Sequence, residues 1–299
     1  MSDGTRTGPN APASAHTPAS GTLFVVAVPI GNPGDLTPRA VDVLRAVAVV
    51  AAEDTRHFAT LARQHDIAAR AVSYHEHNED ARARELVARL LNGEDVALVS
   101  DAGTPLVSDP GYRLVQAAIA AGVGVTSLPG ASAVTTALAA SGLPPYPFRF
   151  VGFLPRTMAA RRALFADLAG DSATLVAFEA PRRLTDALRD ALLVLADRTA
   201  CLARNLTKPH ERYQRGPLSA LVAELEAEAI AEGEIRGEVT LLIHGASEGA
   251  AAARDAEADA RLLLDGGAPA RTVQELLVQR HGLAKRDAYA LVLRMRGAG

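Results

Sequence analysis

The stretch that most constrains this chain is Val96-Ala-Leu-Val-Ser-Asp-Ala-Gly-Thr-Pro105, running on through Ser108-Asp-Pro-Gly111. Val96 to Val99 is an unbroken apolar run, the pattern of a buried strand. It stops at Ser100-Asp101. Ala102-Gly103-Thr104-Pro105 then breaks regular structure, because Gly accepts positive φ and Pro fixes its own. Ser108-Asp109-Pro110 predicts a helix start, with Ser or Asp as cap and Pro in the first turn. Strand, polar loop and helix in that order build an open α/β sheet, in which ligands bind beyond the carboxyl ends of strands. Small residues there admit close approach of a small molecule, and Asp101 adds a carboxylate. The same spacing also suits an ordinary capped turn.

The pattern recurs along the first half. Thr22 to Val28 reads as a buried strand ending in Pro29-Ile30-Gly31-Asn32, and Thr37-Pro38 opens the next helix. Val47 to Ala52 is a short apolar strand that runs into Glu53-Asp54-Thr55-Arg56-His57. Five polar residues exceed what a turn requires. Two acids and two potential cations can organise hydrogen bonds to a polar substrate, while Asp54 or Thr55 caps the following helix. Ala71 to Tyr74 is a weaker strand before His75-Glu76-His77-Asn78. His-x-His suggests a metal, but no further ligand cluster accompanies it, and a polar rim is the better reading. Gly124 to Leu128 ends in Pro129-Gly130-Ala131-Ser132, and Ala133 to Ala140 is a small-residue helix whose N-terminus favours an anion. Strands and helices alternate five times, which predicts a parallel, helix-covered sheet. The Gly-x-Gly-x-x-Gly fingerprint of dinucleotide enzymes does not follow the first strand.

Ser141-Gly-Leu-Pro-Pro-Tyr-Pro147 is a stiff, breaker-rich segment and the best domain boundary. Its placement predicts a first α/β domain over 21–143 and a second over 148–246. In the second, strands at 148–153, 174–178 and 200–203 precede Arg156, Glu179-Ala-Pro-Arg-Arg183 and Arg204-Asn-Leu-Thr-Lys208. Glu211 to Arg215 reads as a polar strand, Leu218 to Ile230 as an acidic helix, and Gly237 to Ile243 as a closing strand. A helical C-terminal extension over 250–299 contains a helix, the turn His281-Gly282 and a second helix carrying Lys285-Arg286. That order suits a nucleic-acid-binding helix-turn-helix, and equally a helical cap or dimer contact.

Net charge is −3 over 299 residues, so the molecule as a whole does not attract nucleic acid. The charge is uneven: between Arg149 and Arg215 cations outnumber acids, and elsewhere acids dominate. The excess can meet phosphate or simply be solvated. The single cysteine, Cys201, excludes an intrachain disulfide and a cysteine-rich zinc site. The first 20 residues are rich in Pro, Ala, Ser, Thr and Gly without a hydrophobic signal core, which predicts a disordered tail on a cytoplasmic protein.

These segments together resemble the tetrapyrrole-methylase-like, S-adenosylmethionine-dependent methyltransferases, and within them the branch that methylates a cytidine 2′-hydroxyl of small-subunit ribosomal RNA. The matching stretches are Pro29-Ile-Gly-Asn32, Ala51-Ala-Glu-Asp-Thr-Arg-His57, His75 to Asn78, Ser100-Asp-Ala-Gly-Thr-Pro105, Ser108-Asp-Pro-Gly-Tyr112, Leu128-Pro-Gly130, Gly152-Phe-Leu-Pro155 and Ala203-Arg-Asn-Leu-Thr-Lys208. The sequence departs from the family pattern at Asn205, where Glu is usual, at Phe178-Glu-Ala-Pro-Arg-Arg183 and at Ala131. The resemblance implies two α/β domains with the cofactor in the cleft between them, and a homodimer. It places S-adenosylmethionine against Pro29, Ile30, Gly31, Asp101, Ala102, Gly103, Thr104, Pro105, Ser132, Ala133 and Phe178, with no metal. For methylation of 16S rRNA at the decoding centre, Glu53 or Asp54 would orient or deprotonate the ribose hydroxyl. Arg56, Arg204 and Lys208 would hold phosphates, and His57 and Arg183 would contact RNA. A porphyrinoid methyltransferase and a non-catalytic ribosome-binding module are the alternatives.

Overall fold

The computed structural model describes residues 20–296, with backbone only for 248–255; the predicted disordered tail therefore lies almost wholly outside the described residues. The chain divides into two compact units. One holds the residues up to Pro29 and Pro33–Ala131, the other Ile30–Asn32 and everything from Ser132 onward.

The first unit alternates as its sequence requires: β1 (Thr22–Val26), α1 (Pro38–Ala46), β2 (Val49–Ala52), α2 (Thr55–Gln64), β3 (Arg70–Ser73), α3 (Glu79–Leu91), β4 (Val96–Val99), α4 (Tyr112–Ala120) and β5 (Gly124–Leu128). The strands form a parallel five-stranded sheet in the order β3-β2-β4-β1-β5. Side chains alternate between its faces. Val50, Ala52, Ala97 and Val99 pack with Leu44 of α1 and Phe58 of α2. Val49, Ala51, Val96 and Leu98 pack with Leu86 of α3 and Leu114 of α4. That two-sided burial explains why these strands are apolar throughout rather than alternating.

The strand order creates a switch point. β1 and β4 are neighbours, yet β1 leads through α1 on one face and β4 through α4 on the other. Loops leaving adjacent strands in opposite directions open a crevice between them. Here they are also stitched together: the Val28 N–H donates to Gly103 O at 2.9 Å and the Gly103 N–H donates back to Val28 O at 3.0 Å. Gly103 has φ +77°, which glycine adopts without penalty.

Asp109 and Ser108, predicted to cap a helix, do not. α4 begins at Tyr112, and its cap is Gly111 at φ +133°, a conformation closed to other residues. The Asp109 carboxyl is thereby left for other work.

The second unit contains α5 (Ala133–Ser141), β6 (Phe148–Phe153), α6 (Met158–Leu168), β7 (Thr174–Glu179), α7 (Pro181–Leu195), β8 (Thr199–Arg204), β9 (Arg212–Pro217), α8 (Leu218–Glu232) and β10 (Val239–Ile243). Its sheet is mixed, in the order β6-β7-β10-β8-β9, with the last strand inserted antiparallel at the centre. Leu175, Leu202 and Leu241 pack on Phe165 of α6, Leu188 of α7 and Leu221 of α8. The first unit also ends earlier than predicted. Arg215 donates to the carbonyls of Ala140 and Ser141, and the Tyr213 hydroxyl to that of Thr136, so β9 holds α5 in the second unit. The break therefore falls at Ala131, before the proline-rich linker rather than in it. The chain ends in α9 (Glu248–Asp265), α10 (Ala270–His281) and α11 (Lys285–Arg296), which share a core of their own.

Candidate active site

Two sequence-marked segments meet at the carboxyl edge of the first sheet. β2 ends in Glu53-Asp54, β4 ends in Ser100-Asp101, and the two strands are paired. The Asp54 N–H donates to Asp101 Oδ1 at 3.0 Å, and the Asp101 N–H donates to Glu53 Oε2 at 3.4 Å. Each acid is thus fixed by the other strand's backbone. Ser100 is buried, and its hydroxyl donates to the Ala102 carbonyl at 3.2 Å. Thr104 donates its hydroxyl to Ala131 O at 3.2 Å, which ties the loop after β4 to the loop after β5. Ala102 at the loop's tip is exposed, whereas Gly103 and Pro105 are buried.

The acids at this edge differ in strength. Burial pushes Glu53 above the ordinary carboxylate value; the Asp101 N–H opposes the shift, and the Asp101, Glu76 and Asp54 charges add to it. Asp54 goes the other way. It caps α2 through the Arg56 N–H and grips the Arg56 guanidinium in a two-pronged contact at 3.1 and 2.7 Å, which holds it well below the carboxylate range. Asp109 is pushed up to about 7 by burial first, then by the Glu53 charge, with a Ser100 hydrogen bond opposing. Sequence reasoning missed Asp109 because the Ser-Asp-Pro spacing imitates a cap. The signal that could have exposed it was Gly111, one residue before the helix.

Arg56 and His57 stand exposed at the start of α2. His75 takes its place in a turn, where its N–H donates to Asn78 Oδ1 and its ring meets that of His77 edge-on. Among the described residues no group of three or more His, Cys, Asp or Glu is placed to hold a metal ion.

In the second unit, Gly31 is packed so closely that a Cβ would fall 2.5 Å from Lys208 Cγ and 2.8 Å from Leu206 O. The Asn32 N–H donates to Thr207 Oγ1 at 3.0 Å. Ser132 caps α5 without a side-chain bond to the helix, so its hydroxyl does not satisfy the first-turn N–H groups. Phe178 is half-buried with its ring edge-on to Phe150 and Phe153.

The cations predicted to meet RNA fare differently. Arg204 is a correction. It is 2% exposed, pairs with Glu228 at 2.8 Å and donates to the Arg236 carbonyl at 2.9 Å. A buried guanidinium held by Glu228 and the Arg236 carbonyl ties α8 to β8 and cannot reach a phosphate. Arg183 pairs at 2.5 Å with Glu179, whose side chain is fully buried, and spends its charge there. Lys208 Nζ meets the exposed Glu238 at 2.6 Å, a pairing that water or a phosphate can replace. Several other cations of the middle region also meet acids: Arg161 and Arg162 on Asp190, Arg189 on Glu226, and Arg212 on Glu228. Of these Arg161 is buried, whereas Arg189 and Arg212 stay half exposed.

Residues 22–222 match the family of tetrapyrrole (corrin/porphyrin) methylases. The chain is 50% identical to the ribosomal RNA small subunit methyltransferase I of Micromonospora olivasterospora, over 97% of this chain and 90% of that protein. It is 46% identical to the protein of the same name from Halalkalibacterium halodurans, over 76% of this chain and 77% of the relative. Among solved structures it is similar to the uroporphyrin-III-C-methyltransferase of Thermus thermophilus, at 25% identity and a TM-score of 0.53, covering 75% of this chain and 94% of that one. The switch point, the loops around it and the span of the match agree: the chain belongs to the tetrapyrrole (corrin/porphyrin) methylase family.

Proposed function

We propose that this protein transfers a methyl group from S-adenosylmethionine to 16S rRNA of the small ribosomal subunit, on the 2′-hydroxyl of a cytidine at the decoding centre. The observation that carries the reading is the mutual clasp of Glu53-Asp54 and Asp101. Those residues belong to Ala51-Ala-Glu-Asp-Thr-Arg-His57 and Ser100-Asp-Ala-Gly-Thr-Pro105, the stretches whose resemblance to the RNA branch suggests an RNA rather than a porphyrinoid acceptor, and they lie on adjacent strand ends. The relatives named for ribosomal RNA methylation, at 50% and 46% identity, support it.

S-adenosylmethionine supplies an electrophilic methyl group on a sulfonium when bound. The residues present fit such a molecule. Asp101 has no ion pair among the described residues and offers its carboxylate to a cation or a hydroxyl. The exposed Ala102 leaves backbone approachable beside the switch point, and the buried Gly103, bonded to Val28 through both its N–H and its carbonyl, fixes the loop that presents it. Following the family resemblance, Pro29, Ile30, Gly31, Asp101 to Pro105, Ser132, Ala133 and Phe178 would hold the cofactor.

A ribose hydroxyl is a weak nucleophile, so a base or an oxyanion partner raises its reactivity. Of the two acids named from the sequence, Glu53 is the better proton acceptor. Burial raises its basicity, whereas Asp54 is committed to Arg56 and the helix cap. Arg56, His57 and Lys208 are the side chains left to steady phosphates. The same reading expects a cytoplasmic homodimer; no described helix is long and apolar enough to cross a membrane. The experiment is a competition for radiolabelled methyl groups between undermethylated small subunits and a porphyrinoid. Label on the RNA alone supports the assignment, and label on the macrocycle overturns it in favour of the chemistry named for the solved neighbour.

A further inference from the structure

Arg161 and Arg204 of the middle region are buried in ion pairs, and several others meet acids at the surface, so a further basic surface of the chain bears on where it meets an RNA. α11 has the sequence Lys-Arg-Asp-Ala-Tyr-Ala-Leu-Val-Leu-Arg-Met-Arg. Ala288, Leu291 and Val292 are buried against Val273 and Leu277 of α10 and Ala260 of α9. At 100° per residue, Lys285, Arg286, Tyr289, Leu293 and Arg296 fall within an arc of roughly 100° that turns away from that core. All five are exposed, Tyr289 at 55% and Leu293 at 59%. The stripe is about 16 Å long at 1.5 Å per residue.

Its composition is informative. An exposed tyrosine and leucine flanked by cations are poor choices for a solvated helix face, where charged and small polar residues serve better. Two cations in the first turn also oppose the helix dipole, which favours acids there. Among the described residues, the α9 acids pair with cations outside the stripe: Glu257 meets Arg294, and Asp259 meets Arg280 and His281. Asp287 lies 3.5 Å from Arg286, with both side chains mostly exposed, a pair worth little in water.

We infer that the α11 stripe is a docking surface for single-stranded or looped RNA, with Lys285, Arg286 and Arg296 on phosphates and Tyr289 stacked on an unpaired base. The helix pair α10–α11, joined through Gly282 in the left-handed conformation, has the outline of a DNA-reading helix-turn-helix. A-form RNA, however, has a major groove too deep and narrow for side chains to read, so the surface serves stacking and phosphate binding rather than groove insertion. This inference deepens the rRNA reading and names a surface distant in sequence from the methyl-transfer residues.

The test uses the full chain and a labelled single-stranded RNA of about 20 nucleotides, with duplex DNA of the same sequence as comparison. Lys285→Ala/Arg286→Ala/Arg296→Ala should weaken RNA binding at least 10-fold and flatten its salt dependence by about two, at roughly 0.7 for each phosphate no longer neutralised. Tyr289→Ala should weaken it roughly 5- to 150-fold, the range for removing one base stack, while Tyr289→Phe restores binding. In methylation assays these changes should raise KM and spare kcat, and cofactor affinity should not move. Unchanged RNA affinity and salt slope overturn the inference, as does equal loss on duplex DNA. A change in oligomeric state without loss of RNA binding overturns it in favour of a dimer contact. If the unmodified protein methylates small subunits but the variants bind RNA normally, this surface alone is wrong. If it binds RNA through α11 but transfers no methyl group, the rRNA methylation reading is wrong and the surface stands.

Discussion

At the scale of single residues, the acids at the first sheet's edge have been given different strengths by their surroundings. Glu53 is raised by burial and Asp54 is lowered by Arg56, although they are neighbours in sequence. Glu53→Gln should therefore lower turnover by roughly 100-fold or more, the usual effect of losing a general base. Asp54→Asn should leave turnover largely intact, since Asn caps a helix as well as Asp does. Single-turnover methyl transfer measures both, and normal rates in both variants would remove carboxylate chemistry from the account. Asp109 gives a stability prediction. Its pKa is about 7 folded, against an ordinary 3.8. Between those values the folded state holds the extra proton, so stability falls as pH rises from about 4 to 7 and stays reduced above that. Asp109→Asn should leave thermal stability nearly unchanged at low pH and raise it at pH 8. Parallel melting curves for the two proteins, without divergence on the alkaline side, would contradict this.

Elements show what could be read from sequence and what could not. Apolar runs such as Val96 to Val99 and caps such as Thr37 are local signals, and the strands and helices of the first unit follow them closely. The mixed order of the second sheet is not local. Nothing in Val239 to Ile243 says that it enters antiparallel between β7 and β8; long-range pairing decides that. Burial of charge was equally illegible. Arg204-Asn-Leu-Thr-Lys208 reads as one polar loop, yet Arg204 is the last residue of β8 and lies under α8, whereas Lys208 reaches the surface. Arg204→Ala should thus destabilise the second unit by about 1–3 kcal/mol, since Glu228 loses its buried partner and keeps only the more exposed Arg212. The salt slope of RNA binding should not change. Denaturant melts and binding titrations separate the two effects, and a stable variant with a shallower slope would return Arg204 to the RNA surface.

For the molecule as a whole, one logic links fold to chemistry. A parallel sheet with a switch point between β1 and β4 brings two loops together. A family of methylases places this chain among enzymes of one donor and many acceptors, so the acceptor must be argued from the motifs that vary. The proposal rests that argument on the paired acids after β2 and β4, the strand ends that the sequence marks most heavily. The most direct measurement is nucleoside mass spectrometry of 16S rRNA from undermethylated small subunits, after incubation with the protein and isotopically labelled S-adenosylmethionine. The account predicts the label in one ribose-methylated cytidine. Label on a base, on another nucleoside, or nowhere in the RNA would contradict it.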